Sequence, residues 1–194
     1  MNSEQKIGLF GGSFDPVHLG HLLVAQAAIE ELGLDRLCFI SAAQSPFKPD
    51  NQPAPASLRL QWLRLALAGR TNYEIDEQEI RRGGVSYTVD TVRDYAKRFP
   101  QAELFYLIGT DNVAKLNEWR AAGELARLVQ FVVTPRPGEA PANFPAPFRG
   151  RTLKGFPLAI SSSQIRARAK AGLPLEPLVP APVAEAIRTA KPYT

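Results

Sequence analysis

His18 and His21 are the only histidines in the sequence, and both lie in the run Gly11-Gly12-Ser13-Phe14-Asp15-Pro16-Val17-His18-Leu19-Gly20-His21. Three residues apart on a helix, two imidazoles share one face, one turn above the other. Such a pair can ligate a metal or donate ring N–H bonds to an anion, and it can also be a capping turn with two surface histidines. No carboxylate or thiol at matching spacing completes a zinc set. The setting favours phosphate recognition. The apolar run Ile7-Gly8-Leu9-Phe10 leads into the glycine pair, and a helical pattern follows. Glycines there let the backbone turn tightly and approach a polyphosphate, and the free N–H groups of the helix start add a positive dipole end.

Further candidates lie far along the chain. Ile160-Ser161-Ser162-Ser163-Gln164-Ile165-Arg166 puts a hydroxyl cluster at an expected helix start with an arginine one turn in. It can bind an anion, or it can be serine capping with a solvent-facing arginine. Lys48 sits in the proline-rich stretch Ser45–Pro55 between an apolar run and a helical pattern, at the sheet edge where such folds bind ligands, which favours a binding loop over a linker, with a solvated lysine as the alternative. Trp119 can stack on a flat ring or fill a core.

Short apolar runs predict strands at Ile7–Phe10, Leu37–Ile40, Leu104–Ile108 and Val129–Val133, with a weaker candidate at Phe156–Ile160. Helical periodicity falls at Leu19–Leu32, Ser57–Leu67, Thr88–Phe99, Ala121–Leu128, Ser162–Ala171 and Val183–Ala190. Alternation of the two predicts an α/β fold, a doubly wound parallel sheet covered on both faces. A second proline-rich stretch, Pro135–Pro147, reads as a plain surface excursion.

At 194 residues, 45% of them hydrophobic, the chain is expected to form one domain over residues 1–194. Its net charge of +4 suits an anionic small molecule and falls short of a nucleic-acid-binding tail. The lone Cys38 lies in an apolar run, so neither an internal disulfide nor a multi-thiolate metal site is expected. The polar start and the lack of a long apolar stretch predict a cytoplasmic protein with no membrane partner, and a homo-oligomer is left open.

The run from Gly11 to His21 resembles the glycine-rich loop and paired-histidine motif of the HxGH nucleotidyltransferase superfamily of adenylyl- and cytidylyltransferases, with Ser13 where threonine is common. The Ser161–Arg166 segment resembles that superfamily's second nucleotide-binding motif. Within it, Glu79-Ile80-Arg81-Arg82-Gly83-Gly84-Val85-Ser86-Tyr87-Thr88-Val89-Asp90-Thr91 looks like bacterial nicotinate-nucleotide adenylyltransferases. Leu107–Asn112 followed by Trp119, Pro135–Gly138 and Leu178-Val179-Pro180 match the same group. One departure stands at Ser45-Pro46-Phe47-Lys48, where relatives commonly carry two prolines, a histidine and a cation. The cation is kept and the histidine is phenylalanine.

The resemblance implies a Rossmann-like nucleotidyltransferase fold and transfer of the adenylyl group of ATP to nicotinate mononucleotide, with release of pyrophosphate. Magnesium would travel on the ATP phosphates, with no protein metal site. His18 and His21 would be catalytic. Gly11, Gly12, Ser13, Phe14, Gly109, Asp111, Ser162, Ser163 and Arg166 would join them in holding ATP. Ser13, Lys48, Tyr87, Thr88 and Trp119 would hold the mononucleotide, with backbone N–H groups near Thr88 meeting the ring carboxylate. Asp111 could otherwise cap the following helix. Two rivals are the pantetheine-phosphate adenylyltransferases, which share the two nucleotide motifs, and a non-catalytic RNA-binding module suggested by the basic charge. Trp119 and the Ser86–Thr91 segment suit a pyridine ring better than a flexible thiol arm.

Overall fold

The computed structural model describes residues 5–46, 53–135, 138–140, 142–156 and 158–193. In chain order the elements are β1 (Lys6–Gly12), α1 (Leu19–Leu32), β2 (Arg36–Ser41), α2 (Ala56–Leu67), β3 (Tyr73–Asp76), α3 (Gln78–Arg82), α4 (Thr88–Arg98), β4 (Glu103–Ile108), α5 (Thr110–Val113), a 3-10 turn at Leu116–Glu118, α6 (Ala122–Leu128), β5 (Gln130–Val133), β6 (Gly150–Thr152), α7 (Ser162–Lys170) and α8 (Ala181–Ala190). The strands form one sheet in the order β3-β2-β1-β4-β5-β6. Every pairing is parallel.

Alternate residues of the central strands feed two separate cores, which is why those strands read as unbroken apolar runs. Leu37, Phe39, Phe105 and Leu107 pack with α1, α2 and α8 on one face. Cys38, Ile40, Leu104 and Tyr106 pack with α4 and α6 on the other. Helix α1 ends where Gly33 adopts φ 63°, a left-handed conformation that costs glycine little.

Two expectations about elements are corrected. None of the described residues of Phe156–Ile160 lies in a strand, and Phe156 and Leu158 are among the exposed large apolar side chains. The sheet is instead extended by β3 and β6, short edge strands with partly polar sequences that give little apolar signal. Pro135–Pro147 is also more than an excursion, because Ala142 and Phe144 pack against the second core.

Chain order departs from spatial order between β1 and β4, so the loops leaving their carboxyl ends diverge to opposite sides and open a crevice. Arg59 of α2 braces this edge from within. Its guanidinium is buried and donates to four acceptors, the carbonyls of Ala54, Ser13 and Ala42 and the Ser41 hydroxyl, at 2.8 to 2.9 Å. It thereby joins the ends of β1 and β2 to the start of α2. Replacing it with methionine of similar length would strand these acceptors, each at a cost of about 1 to 3 kcal/mol. Arg59→Met is expected to lose at least about 3 kcal/mol and to lower the melting temperature by roughly 6 to 12 °C in calorimetry. A shift under 2 °C would show that the brace contributes little.

Candidate active site

The loop from β1 to α1 does not turn where the glycines stand. Gly11 and Gly12 are the last residues of β1, and neither has a positive φ. Their lack of a side chain serves packing: a Cβ on Gly11 would collide with the Tyr106 hydroxyl, and one on Gly12 would sit 3.1 Å from the Phe14 ring. The turn falls at Asp15-Pro16 and is entered through Phe14, a non-glycine residue at φ 47°. That conformation costs on the order of 1 to 3 kcal/mol and persists only where its surroundings fix it. The Phe14 ring supplies part of this, buried edge-on to Phe10 at 5.5 Å and to His21 at 5.1 Å.

The histidines are the helix cap itself. His18 is the N-cap of α1, and its Nδ1 accepts the His21 N–H at 3.3 Å. In return His21 Nδ1 accepts the His18 N–H at 3.2 Å. Because a backbone amide can only donate, both Nδ1 atoms must be unprotonated, and the single proton of each neutral ring is on Nε2. The rings stack with centroids 3.7 Å apart. Burial lowers the His18 pKa from its ordinary 6.5 to about 4. Burial, followed by the neighbouring His18, takes His21 well below its ordinary value too. The pair is therefore neutral at pH 7 and keeps two Nε2–H donors for a ligand. The capping reading of the sequence and the anion reading are thus compatible, while the "surface" part is wrong: His18 is buried. The helix dipole expected from open N–H groups is partly closed, since the Leu19 N–H is taken by the Leu178 carbonyl at 2.9 Å.

Across from α1, the start of α7 is bound to the same loop. Ser161 caps α7 in a box with Gln164. The Ser162 hydroxyl donates to the Pro16 carbonyl at 3.0 Å, and Arg166 Nη1 donates to the Asp15 carbonyl at 2.8 Å. The Ser163 hydroxyl oxygen accepts from Arg166 Nη2 at 3.2 Å, so its own proton stays free for a ligand. These elements enclose a cavity of about 420 Å³ whose wall includes Ser13, His18, His21, Gly109, Ser163 and Arg166. Phe156, Leu158 and Ile160 line it as well, which accounts for an apolar run that is not a strand.

A second, smaller cavity of about 170 Å³ opens on the other side of β1, between Ser45, Ser86, Thr88, Tyr106 and Trp119. The two cavities share Phe10, Ser13, Ile108 and Gly109, the carboxyl ends of β1 and β4. Trp119 stands edge-on to Tyr106 and Phe131, which sets the plane of the indole. Glu79 closes the floor. It is buried, accepts from the Thr91 hydroxyl at 2.6 Å, and burial raises its pKa. Ser86 ties this wall to the end of β2, its hydroxyl accepting the Ala43 N–H at 3.0 Å.

Most residues singled out in the sequence thus meet around one crevice. Ser13, Phe14, His18, His21, Gly109, Ser162, Ser163 and Arg166 line the larger cavity, and Gly11, Gly12, Ser13, Thr88, Gly109 and Trp119 the smaller. Two do not join them. Asp111 is exposed in the first turn of α5, lines neither cavity and does not cap its helix, and Asn112 takes its place on the wall. Tyr87 lies beyond Trp119 in an adjoining hollow, its ring under the Arg120 guanidinium at 4.6 Å. Lys48 lies outside the described residues. Sequence reading missed Arg59 and Glu79 as parts of the site. Arg59 did leave a signal, since with Trp62, Leu63 and Ala66 it occupies the apolar stripe of α2, where a charge needs a buried partner.

A doubly wound sheet whose crevice joins phosphate-type donors to an aromatic slot is built for handling nucleotides, and the chain belongs to the cytidylyltransferase-like family, which it matches over residues 9–168. Within that family it is one of the nicotinate-nucleotide adenylyltransferases. It is 44% identical over 178 residues to a probable nicotinate-nucleotide adenylyltransferase of Opitutus terrae, covering 90% of this chain and 91% of that one. It is 37% identical over 188 residues to the Methylacidiphilum infernorum protein of the same description, covering 94% and 89%. Among solved structures, the Plasmodium falciparum nicotinic acid mononucleotide adenylyltransferase complexed with NaAD shares the fold, with a TM-score of 0.79, 16% identity and 98% of each chain covered.

The histidine pair has a consequence for stability. A base whose pKa is lower when folded is protonated more readily in the unfolded chain, so stability is intact above pH 6.5 and falls as pH drops toward 4. For His18 alone the loss is about 3 kcal/mol. Melting temperature is expected to fall across this window, and His18→Asn, which keeps a capping acceptor that does not titrate, should flatten the fall. An unchanged pH profile in that variant would mean that other groups set the acid sensitivity.

Proposed function

We propose that this protein, a single nucleotidyltransferase domain over residues 1–194 acting in the cytoplasm, transfers the adenylyl group of ATP to nicotinate mononucleotide, forming nicotinate adenine dinucleotide and pyrophosphate in NAD biosynthesis. The observation that carries the reading is the meeting of two cavities at Ser13 and Gly109. One offers imidazole, hydroxyl and guanidinium donors for a triphosphate, and the other an aromatic slot for a pyridine ring.

ATP would occupy the larger cavity, with its phosphates against His18, His21, Ser163 and Arg166 and with Phe14 and the Gly11–Ser13 backbone behind them. The mononucleotide ring would lie against Trp119, its carboxylate near the first N–H groups of α4 at Thr88, which no side chain caps. Tyr87 would border that end, Lys48 would meet the mononucleotide phosphate, and Asp111 would approach a ribose hydroxyl. The phosphate would pass Ser13. One of its oxygens attacks the α-phosphorus of ATP in line, a new P–O bond forms, and the bond to the β-phosphate oxygen breaks with its electron pair leaving on pyrophosphate. The nucleophile is already an anion, so the protein's work is alignment and stabilisation of spreading charge.

Among the described residues no group of three or more His, Cys, Asp or Glu side chains could hold a metal ion. A divalent ion, which we assign as magnesium, fits as a passenger on ATP held by phosphate oxygens, where it neutralises charge on the leaving group. No helix among the described residues is long and apolar enough to cross a membrane.

Pyrophosphate release is expected from purified protein given ATP, magnesium and nicotinate mononucleotide, and should be much weaker with nicotinamide mononucleotide or phosphopantetheine. Activity confined to phosphopantetheine would keep the fold and overturn the aromatic-slot assignment. A charge-assisted hydrogen bond contributes about 1.5 to 3 kcal/mol, so alanine at His18 or at His21 should lower kcat roughly ten- to a few hundred-fold with little change in KM. Unchanged kcat in both variants would remove the imidazoles from the chemistry.

A further inference from the structure

Tyr193, at the far end of the chain, is bonded to the loop that carries the histidines. After α8 the backbone reverses at Lys191, φ 45°, and brings Tyr193 back under the sheet edge, buried, with its ring 6.0 Å from Trp62. Its hydroxyl donates to Asp15 Oδ1 at 2.8 Å. Burial pushes the phenol's pKa up, so the hydroxyl keeps its proton and remains a donor. The same Asp15 oxygen accepts the Ala54 N–H at 3.3 Å. The other, Oδ2, stands 3.7 Å from Arg166 Nη1.

That last distance is the informative one. A carboxylate and a guanidinium free to pair close to about 2.7 to 2.9 Å and form a two-bond fork. Here both groups are largely out of solvent, with side-chain exposures of 4% for Asp15 and 28% for Arg166, yet the ion pair stays at 3.7 Å and does not close into a hydrogen-bonded fork. Tyr193 and Ala54 hold the carboxylate by its far oxygen. Arg166 binds the Asp15 carbonyl and Ser163 instead and keeps a place on the wall of the larger cavity. Tyr193 belongs to the first core and also lines a cavity of about 460 Å³ between α7 and α8.

We infer that Tyr193 is a positioning residue for the transfer reaction: its hydroxyl restrains the Asp15 carboxylate so that the Asp15–Arg166 ion pair stays long and Arg166 faces the triphosphate without being drawn into a closed fork behind the loop. The inference rests on reading the Arg166 cavity as the ATP side. It acts at a distance of two hydrogen-bonded contacts, and it gives the carboxyl-terminal segment a part in the chemistry of the amino-terminal loop.

The test is a double-mutant cycle. Tyr193→Phe keeps the ring against Trp62 and deletes only the hydroxyl. In the otherwise unchanged enzyme it should lower kcat/KM for ATP about tenfold while KM for the mononucleotide stays within twofold. In an Arg166→Ala background the same substitution should change kcat/KM for ATP by less than twofold, because its target is gone. ATP titration calorimetry on the four proteins reads the same cycle without turnover, so it stands even if the unchanged enzyme fails to act on nicotinate mononucleotide, the result that would sink the proposed function alone. An equal effect of Tyr193→Phe in both backgrounds would reveal a merely structural role, and no effect in either would show that the hydroxyl does not restrain Asp15; both overturn the inference.

Discussion

The segment from Ser13 to Val17 has almost no regular hydrogen bonding of its own and contains a non-glycine residue in the left-handed region. Its shape is imposed from outside, by grips that come from widely separated parts of the chain. Arg59 of α2 takes the Ser13 carbonyl, Ser162 and Arg166 of α7 take the carbonyls of Pro16 and Asp15, and Ala54 and Tyr193 hold the Asp15 carboxylate. Buried polar groups of this kind are specific because each is costly to leave unpaired. The loop can therefore be strained and still rigid, which is the condition for presenting donors at fixed positions.

Fixing the loop also fixes the protonation of the histidines. A single helix-capping exchange between His18 and His21 orients both rings and assigns both protons to Nε2, with His18 buried and His21 partly buried. The low pKa that follows suits the proposed chemistry. Neutral imidazoles need no counter-charge in the empty site, yet their N–H groups can meet an oxyanion where water cannot compete. Stability under acid is the corresponding cost, because the unfolded chain takes up those protons first.

The sequence made the middle of the molecule legible because there each local signal agrees with the tertiary outcome. Helix α1 spans the same Leu19–Leu32 that its periodicity predicts, and β1, β2, β4 and β5 all contain apolar runs buried on both faces. The edges were illegible for the same reason in reverse. Tyr73–Asp76 and Gly150–Thr152 are strands through their backbone pairing and carry little apolar signal, while Phe156–Ile160 is apolar because it faces a cavity. Side-chain chemistry read from spacing brought the histidine and serine motifs to one crevice. It could not reveal why Gly11 must be glycine, because the reason is the hydroxyl of Tyr106 on the neighbouring strand. Nor could it place Glu79 or Arg59, whose roles exist only once distant segments meet.

The charge supply of the crevice explains why positioning is so heavily invested. In the proposed reaction two phosphate-bearing anions meet at Ser13, yet among the described residues Arg166 is the lysine or arginine on the wall of the larger cavity, and none lines the smaller. The remaining donors are neutral: two imidazoles, hydroxyls and backbone amides. Neutral donors give up less binding energy per contact than cations and depend more steeply on angle and distance. A site made mostly of them stabilises a transition state only if its frame is stiff. That requirement links the buried Arg59, the capped histidines and the Asp15 contacts into one design. In each, a polar group that could have touched solvent or substrate is used to hold the frame, and the groups left over face the ligand.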